Sequence, residues 1–260
     1  MKSTQQGKQA GKPDSGGLAR EAHIVAHCIR KEKGHSHAKL VDRLGLMPEI
    51  CDRLGLHSDT LPDPTTFYHS LDRYAMYIWR ALLRVSAQQL PQSGHVALDS
   101  TFIERQQASQ HYLQRCGRRV KTIKATTLTD TESLAVLDVH CCIEREHDTK
   151  AGPRVVHRNA DDLRSVAADN GFQDWNREYQ VAALNVQYLV HYRGSSMMAT
   201  ANNALIRAKG YTQRWMAETT CSSVKRTQAA ALRSRFWYRQ FREIVLLFAL
   251  NNTKKLARTL

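Results

Sequence analysis

The sequence predicts an α/β fold in which five strands alternate with helices. Three β-favouring segments follow one another over residues 95–143, and two shorter apolar segments come later in the chain, each after a helical pattern. The predicted order is β-β-β-α-β-α-β-α, with one more helix at the C-terminal end. With 42% hydrophobic residues in 260, the chain can bury the core that such a sheet requires.

The first three strands are predicted at residues 95–102, 119–128 and 134–143. The second alternates basic and β-favouring residues, which gives it one positively charged face. The third is apolar on both faces, as is typical of a central strand. Because only the short polar stretch 129–132 separates these two strands, we expect an antiparallel meander.

After the meander, helical and strand patterns alternate. We expect a helix over residues 152–165, a strand over 166–168, a helix over 175–182, a strand over 186–193, a polar connection over 194–210, a helix from Tyr211, and a last helix over 232–251. The last helix is expected to bury aromatic residues, among them Phe236 and Trp237, and to keep its arginines outside.

The N-terminal third differs in composition from the rest. Residues 1–17 hold Gly, Ser, Gln and Lys with little to bury, which predicts a disordered basic tail. Residues 18–90 form a predicted helical region with short helices and then a longer amphipathic helix over 66–90. This region fits a DNA-binding unit of the helix-turn-helix kind and a structural helical cap equally well.

Charge and composition indicate the class of partner. The formal net charge of +14 favours a polyanion, above all nucleic acid. The longest apolar run, residues 244–250, is far shorter than the roughly 20 residues of a membrane-spanning helix, and no signal sequence opens the chain. The six cysteines form no C-x-x-C pair, so we expect reduced thiols in an intracellular protein without membrane association. A metal site is the weaker interpretation of two further clusters, which are His140, Cys141, Cys142 and His147, and His23 and His27 with Cys28 beside them.

Two acidic residues, Asp99 and Asp169, each follow an apolar strand segment. Sites in α/β folds are built at strand ends, because a rigid sheet positions side chains there without burying them. Aspartate also commonly ends strands and starts turns, so each residue alone has a structural interpretation as well. If the first and fourth strands are neighbours in the sheet, the two carboxylates lie side by side.

A third acid belongs to a polar stripe formed by Tyr211, Arg214, Glu218 and Lys225. Their spacings of three, four and seven residues place them on one face of one helix. The stripe is either a solvated face with Arg214 and Glu218 paired, or a site in which Glu218 holds a metal and the other residues grip phosphate. Four apolar residues are then expected to reach the core from other faces: Trp215, Met216, Ala217 and Val224.

Together the three acids suggest metal chemistry. A helix packed across the sheet edge would bring Glu218 to Asp99 and Asp169, and the three carboxylates would repel one another without divalent cations between them. Oxygen donors favour Mg²⁺ or Mn²⁺ over zinc. A pair of such ions can activate water or a 3′-hydroxyl in phosphodiester cleavage.

The chain resembles the DDE transposases of bacterial and archaeal insertion sequences. The polar stripe matches the family signature Y-x2-R-x3-E-x6-K without a gap, and the segments ALDSTF at Asp99 and ADNGF at Asp169 resemble its first two acidic motifs. Asn170 and the Ser100-Thr101 pair depart from forms common among relatives. The resemblance covers residues 90–255 and implies an RNase H-like catalytic domain over residues 91–260, with a mixed five-stranded sheet flanked by helices.

The resemblance also implies roles for individual residues. Asp99, Asp169 and Glu218 would be catalytic and would bind two Mg²⁺ or Mn²⁺ ions. Arg214 and Lys225 would hold DNA backbone near the scissile phosphate, and the tyrosine of the stripe would contact the transposon end. The implied function is binding of terminal inverted repeats, phosphodiester hydrolysis and strand transfer.

Further DNA contacts are expected from the basic strand and the last helix, through Arg118, Arg119, Lys121, Lys124, Arg233, Arg235 and Arg239. The expected partners are double-stranded DNA, from element ends and target, and a second copy of the chain in a synaptic complex. The expected location is the cytoplasm of a prokaryote, in association with the nucleoid. Two alternatives are a non-catalytic DNA-binding protein derived from a transposase and a nuclease of the same fold.

Overall fold

The computed structural model describes residues 19–105, 115, 121–144, 146–228 and 231–259, so the predicted tail lies outside it. The chain divides into two compact units, Met1–Ala75 and Met76–Leu260. The division falls inside the helix predicted over 66–90, because Tyr74 has extended backbone angles and interrupts it. Its ring is buried in the N-terminal unit, edge-on to His23, which fixes the chain at the break.

The described part of the N-terminal unit contains α1 (Arg20–Glu32), α2 (His37–Leu44), α3 (Pro48–Arg53) and α4 (Pro64–Arg73), with a 3-10 turn at Ser58–Thr60. Prolines open α3 and α4, where a missing N–H leaves no helical hydrogen bond unmade. Ser36 and Asp63 cap α2 and α4 by accepting backbone N–H bonds. The core of this unit consists of Ala22, Ala26, Leu40, Leu44, Cys51, Leu56 and Phe67.

The C-terminal unit is built on a five-stranded sheet in the order β3-β2-β1-β4-β5. The strands are β1 (His95–Glu104), β2 (Thr122–Asp130), β3 (Val136–Cys142), β4 (Ser165–Ala168) and β5 (Gln187–Val190). The first three pair antiparallel, whereas β4 is parallel to β1 and β5 is parallel to β4. The predicted meander and the mixed five-stranded sheet are confirmed. The prediction that the third strand is central is wrong: β3 is an edge strand, and it is apolar because helices pack on it.

Helices cover both faces of the sheet. They are α5 (Met76–Gln88), α6 (Asp148–His157), α7 (Trp175–Ala182), α8 (Met197–Ala208), α9 (Trp215–Thr227) and α10 (Trp237–Leu256). One face packs on α6 and α7 through a core that includes Val96, Leu98, Leu128, Val155, Val166 and Val181. Helix α9 packs on β1 and β2 from the opposite face, and α5 packs on α10 and β3. Within the described ranges, no helix combines the length and hydropathy required of a membrane span.

Two C-terminal segments differ from the prediction. The stretch expected to be a polar connection contains α8, which Ser196 caps by accepting the N–H of Ala199. The last helix begins only at Trp237, because the residues before it are held in an extended path. Ala231 bridges to Glu104 at the end of β1, and the carboxylate of Glu243 accepts the backbone N–H groups of residues 233 and 234.

Candidate active site

Sheet topology brings two of the predicted acids together. β1 and β4 run parallel with Leu98 opposite Ala168, and Asp99 and Asp169 are the residues that follow this last pair. The first and fourth strands are therefore neighbours in the sheet, which is the condition for the two carboxylates to lie near each other. β1 continues beyond Asp99 to Glu104, whereas β4 ends at Ala168, so Asp169 lies between β4 and the 3-10 turn Asn170–Phe172.

Asp99 lies in an environment that opposes its negative charge. Burial raises its pKa to about 6, and the nearby carboxylates of Glu218 and Asp148 act in the same direction. A hydrogen bond from the backbone N–H of Ser100 and the charge of Arg214 lower the pKa and partly offset these effects. Asp99 therefore lies within electrostatic range of three charged side chains from different elements.

Helix α9 carries Glu218 to this edge. The helix packs on the sheet through Ala217, Thr220, Cys221 and Val224. Cys221 Sγ lies 3.4 Å from Oγ1 of Thr127, the residue on β2 that pairs with Asp99. Glu218 lies one turn before Cys221 on α9, with a side chain 51% exposed. Trp215 is 52% exposed, so the prediction that it reaches the core is wrong.

Arg214 lies among the three acids. Its guanidinium forms an ion pair with Glu218, and its charge lowers the pKa of the nearby Tyr211 phenol. The charge of Asp169 stabilises the Arg214 cation, and the charge of Arg214 stabilises the Asp99 carboxylate. One arginine thus supplies positive charge to all three predicted catalytic acids.

The polar stripe does not lie on one continuous helix. Tyr211 and Arg214 belong to the 3-10 turn Tyr211–Arg214, and α9 begins at Trp215. Gly210 precedes the turn with φ +95°, a conformation that favours glycine. The Tyr211 ring packs beside His191, with ring centroids 5.2 Å apart. Burial raises the pKa of Tyr211, so its hydroxyl stays a hydrogen-bond donor near Asp169.

The donor set has the chemistry of a Mg²⁺ or Mn²⁺ site, because all three acids offer carboxylate oxygens. In the conformation seen, the ion pair with Arg214 engages Glu218. Among the described residues, no three His, Cys, Asp or Glu side chains lie close enough together to hold one ion. Asp99 and Asp169 each follow the last paired residue of β1 and β4, whereas Glu218 is exposed and would have to change partner to join them.

The remaining predicted DNA-binding residues lie in different surroundings. Lys225 on α9 is half-buried and bonds to no other described residue, whereas Arg118 and Arg119 lie outside the described residues. Lys124 is buried, and its ammonium lies 2.9 Å from Asp148 Oδ1. Arg239 is 6% exposed and stacks over Phe236, so the prediction that it lies on the solvent-facing side of the last helix is wrong.

Basic residues also line a cavity of about 530 Å³ at the end of β1, with Arg105, Lys121, Arg233 and Arg235 in its wall. The buried Gln240 organises this basic cavity. Its side chain accepts from Arg105 Nε at 2.8 Å and donates to the carbonyl of Ser234 at 2.7 Å. Sequence reasoning missed Arg105, because nothing in its local pattern shows that residues 233–235 return to it. The predicted inward Phe236 and Trp237 are each 51% exposed beside this cavity.

Sequence reasoning also missed Asp148, the first residue of α6. It accepts a hydrogen bond from Ser100 Oγ at 2.5 Å, and its charge reaches Asp99. The predicted helix began at residue 152, so Asp148 was left in a loop. An acid in the first turn of the helix after the meander is the local signal that could have marked it.

Comparison with known proteins agrees with this geometry. A model of the family described as "Transposase DDE domain" matches residues 90–252. A cryo-EM structure of the piggyBac transposase synaptic complex with hairpin DNA superimposes with a TM-score of 0.52 at 10% identity, covering 97% of this chain and 69% of that one. At this identity the likeness shows the fold alone, and it confirms the RNase H-like α/β prediction. No match was found among curated proteins.

Proposed function

The chain belongs to the transposase DDE domain family, and we propose that it is the transposase of an insertion sequence. It binds the terminal inverted repeats of its element, hydrolyses a phosphodiester bond at each end and joins the freed 3′-hydroxyls to target DNA. The observation that supports this proposal is that Asp99 and Asp169 follow the last paired residues of the parallel strands β1 and β4, with Glu218 on the helix that packs on β1.

Asp99, Asp169 and Glu218 would hold two Mg²⁺ or Mn²⁺ ions. Bound there, such ions would lower the pKa of water and stabilise the leaving oxygen. Burial makes Asp99 costly to ionise without a cation, and Arg214 supplies that cation in the protein alone. If Glu218 joined the other two acids at a metal ion, Arg214 would be available for a DNA phosphate beside them.

The DNA backbone would be held on both sides of the acids. Tyr211 and Lys225 flank Arg214 and Glu218 along the stripe. Lys121, Arg233 and Arg235 in the basic cavity would bind phosphates further along the duplex, with Arg105 beside them. Lys124 and Arg239 are turned into the protein and would act on this surface from within. Pairing two transposon ends requires at least a dimer on DNA.

The decisive experiment is cleavage of a labelled duplex carrying the element's own end in Mg²⁺. Glu218→Gln keeps the shape of the side chain and removes its charge. We expect the variant to bind the duplex and to lose cleavage by a factor of about 10³ or more, because a charged ligand of the reacting centre is missing. Glu132→Gln is the matched control, since Glu132 is an exposed acid in the turn between β2 and β3, away from Asp99.

Binding by both proteins with no cleavage by either, in Mg²⁺ or Mn²⁺, would support a non-catalytic DNA-binding protein. Cleavage that depends on Glu218 but never yields joined products would instead support a nuclease of the same fold. Equal cleavage by wild type and Glu218→Gln would remove the acid from the site and overturn the proposed mechanism.

A further inference from the structure

A second set of polar residues lies on the opposite face of the sheet from Glu218. Successive residues of a strand point to opposite faces. Asp99 pairs with Thr127 on the face that α9 covers, so Ser100 and its partner Thr126 face α6. On that face Ser100 Oγ lies 2.8 Å from Thr126 Oγ1 and donates to Asp148 Oδ1 at 2.5 Å.

Lys124 completes this set. It lies two residues before Thr126 on β2, on the same face. Its ammonium contacts Asp148 Oδ1 at 2.9 Å and donates to the carbonyl of Glu146 at 2.5 Å. The Lys124 side chain is 8% exposed and that of Asp148 is 28% exposed, so the ion pair is largely withdrawn from water. Such a pair holds its geometry because breaking it leaves a buried charge without a partner.

Asp148 touches the surroundings of both catalytic aspartates. Its Oδ1 atom fixes the hydroxyl of Ser100, the residue that follows Asp99 on β1. Its Oδ2 atom faces the turn that follows Asp169, where a methyl group placed on Gly171 would lie 3.5 Å away. The Asp148 carboxylate therefore lies between β1, which carries Asp99, and the turn that follows Asp169.

We propose that Asp148 is a positioning residue of the catalytic site, held by Lys124, which fixes Asp99 through Ser100 and supports the turn behind Asp169. The inference rests on the proposed function, because it assumes that the two aspartates bind metal. Groups that orient metal ligands without touching the metal commonly change metal affinity by 10- to 100-fold. The role assigned to Asp148 is therefore measurable without DNA cleavage.

Ser100→Ala is the sharpest test, because it cuts the link to Asp99 and leaves the Lys124–Asp148 ion pair in place. Binding of Mn²⁺ to the DNA-free protein is followed by electron paramagnetic resonance of the free ion. We expect the variant to bind Mn²⁺ at least about 10-fold more weakly, with a thermal midpoint close to that of wild type. Ser133→Ala is the matched control: it removes a similar serine–aspartate bond, to Asp130 at 3.0 Å, at the other end of the sheet, and should leave Mn²⁺ binding unchanged.

Asp148→Asn provides a second test of the positioning role, with Asp138→Asn as its control. Asp138 forms a comparable pair with Arg158 at 2.7 Å, so both variants lose a largely buried ion pair. Weaker Mn²⁺ binding in Asp148→Asn alone supports the positioning role. Unchanged Mn²⁺ binding in Ser100→Ala and Asp148→Asn overturns it, while cleavage lost in Glu218→Gln would leave the proposed function standing. A wild-type protein that binds no Mn²⁺ without DNA overturns the positioning role, whereas the cleavage assay decides the proposed function.

Discussion

Two ion pairs lie on opposite faces of the same sheet, and they differ in exposure. Arg214 and Glu218 are 25% and 51% exposed, whereas Lys124 and Asp148 are 8% and 28% exposed. An exposed pair contributes little free energy and changes partner easily, because water solvates either charge when the pair opens. A buried pair resists opening. The exposed pair is thus suited to exchange with metal and DNA, and the buried pair to fixing the residues beside it.

The largest expected difference between the pairs is in stability. Lys124→Met leaves Asp148 without its cation, and we expect the free energy of unfolding to fall by about 3 kcal/mol or more. Arg214→Met removes an exposed partner and should cost no more than about 1 kcal/mol. Urea unfolding followed by tryptophan fluorescence measures both, with the exposed Lys150→Met on α6 as control. Equal losses of unfolding free energy in Lys124→Met and Arg214→Met would contradict the expected difference between the two ion pairs.

A second test uses the pH dependence of stability in metal-free buffer. Burial raises the pKa of Asp99 from 3.8 to about 6 on folding, so the folded state holds this proton more tightly than the unfolded state. The resulting stabilisation is complete below pH 3.8 and is lost as pH rises through about 6. Asp99→Asn should abolish this loss. Arg214→Met should extend it to higher pH, because Arg214 lowers the pKa of Asp99.

Urea titrations at pH values from 4 to 7, with wild type and both variants side by side, measure this effect. The difference from Asp99→Asn isolates the contribution of this one carboxyl group. If Arg214→Met and wild type lose stability over the same pH range, Arg214 does not act on Asp99.

The smallest expected effect is on the salt dependence of DNA binding. Each phosphate contact contributes roughly 0.9 to the slope of log affinity against log salt. Arg214→Met should therefore lower the slope by about one, and Lys121→Ala with Arg235→Ala by about two. Lys124→Met should leave it unchanged, because its ammonium is bound to Asp148. Arg177→Ala, a half-buried cation on α7 that donates to the neighbouring Gln180, is the control. A lower slope in Lys124→Met would show that the buried lysine reaches DNA.

The sequence alone was sufficient to predict the order of strands along the chain, the meander and the spacing of the polar stripe. Apolar runs and the alternation of apolar and polar residues indicate which segments are strands, because the hydrophobicity of each residue shows whether it favours burial. Asp99 and Asp169 could be selected for the same reason: each interrupts or follows an apolar run. The helix Trp175–Ala182 was also predicted with correct ends, since Asp174 caps it locally.

Tertiary structure decided what depends on distant segments. The register of β1 against β4 makes Asp99 and Asp169 neighbours, and no local pattern encodes it. The return of residues 231–235 to the end of β1 joins Arg233 and Arg235 to Arg105, and the same packing buries Arg239. Asp148 acquires its place only when α6 docks on the sheet face that Ser100 lines. The periodicity of the sequence shows which residues are buried in the core, but the packing of distant segments determines which polar side chains lie in contact.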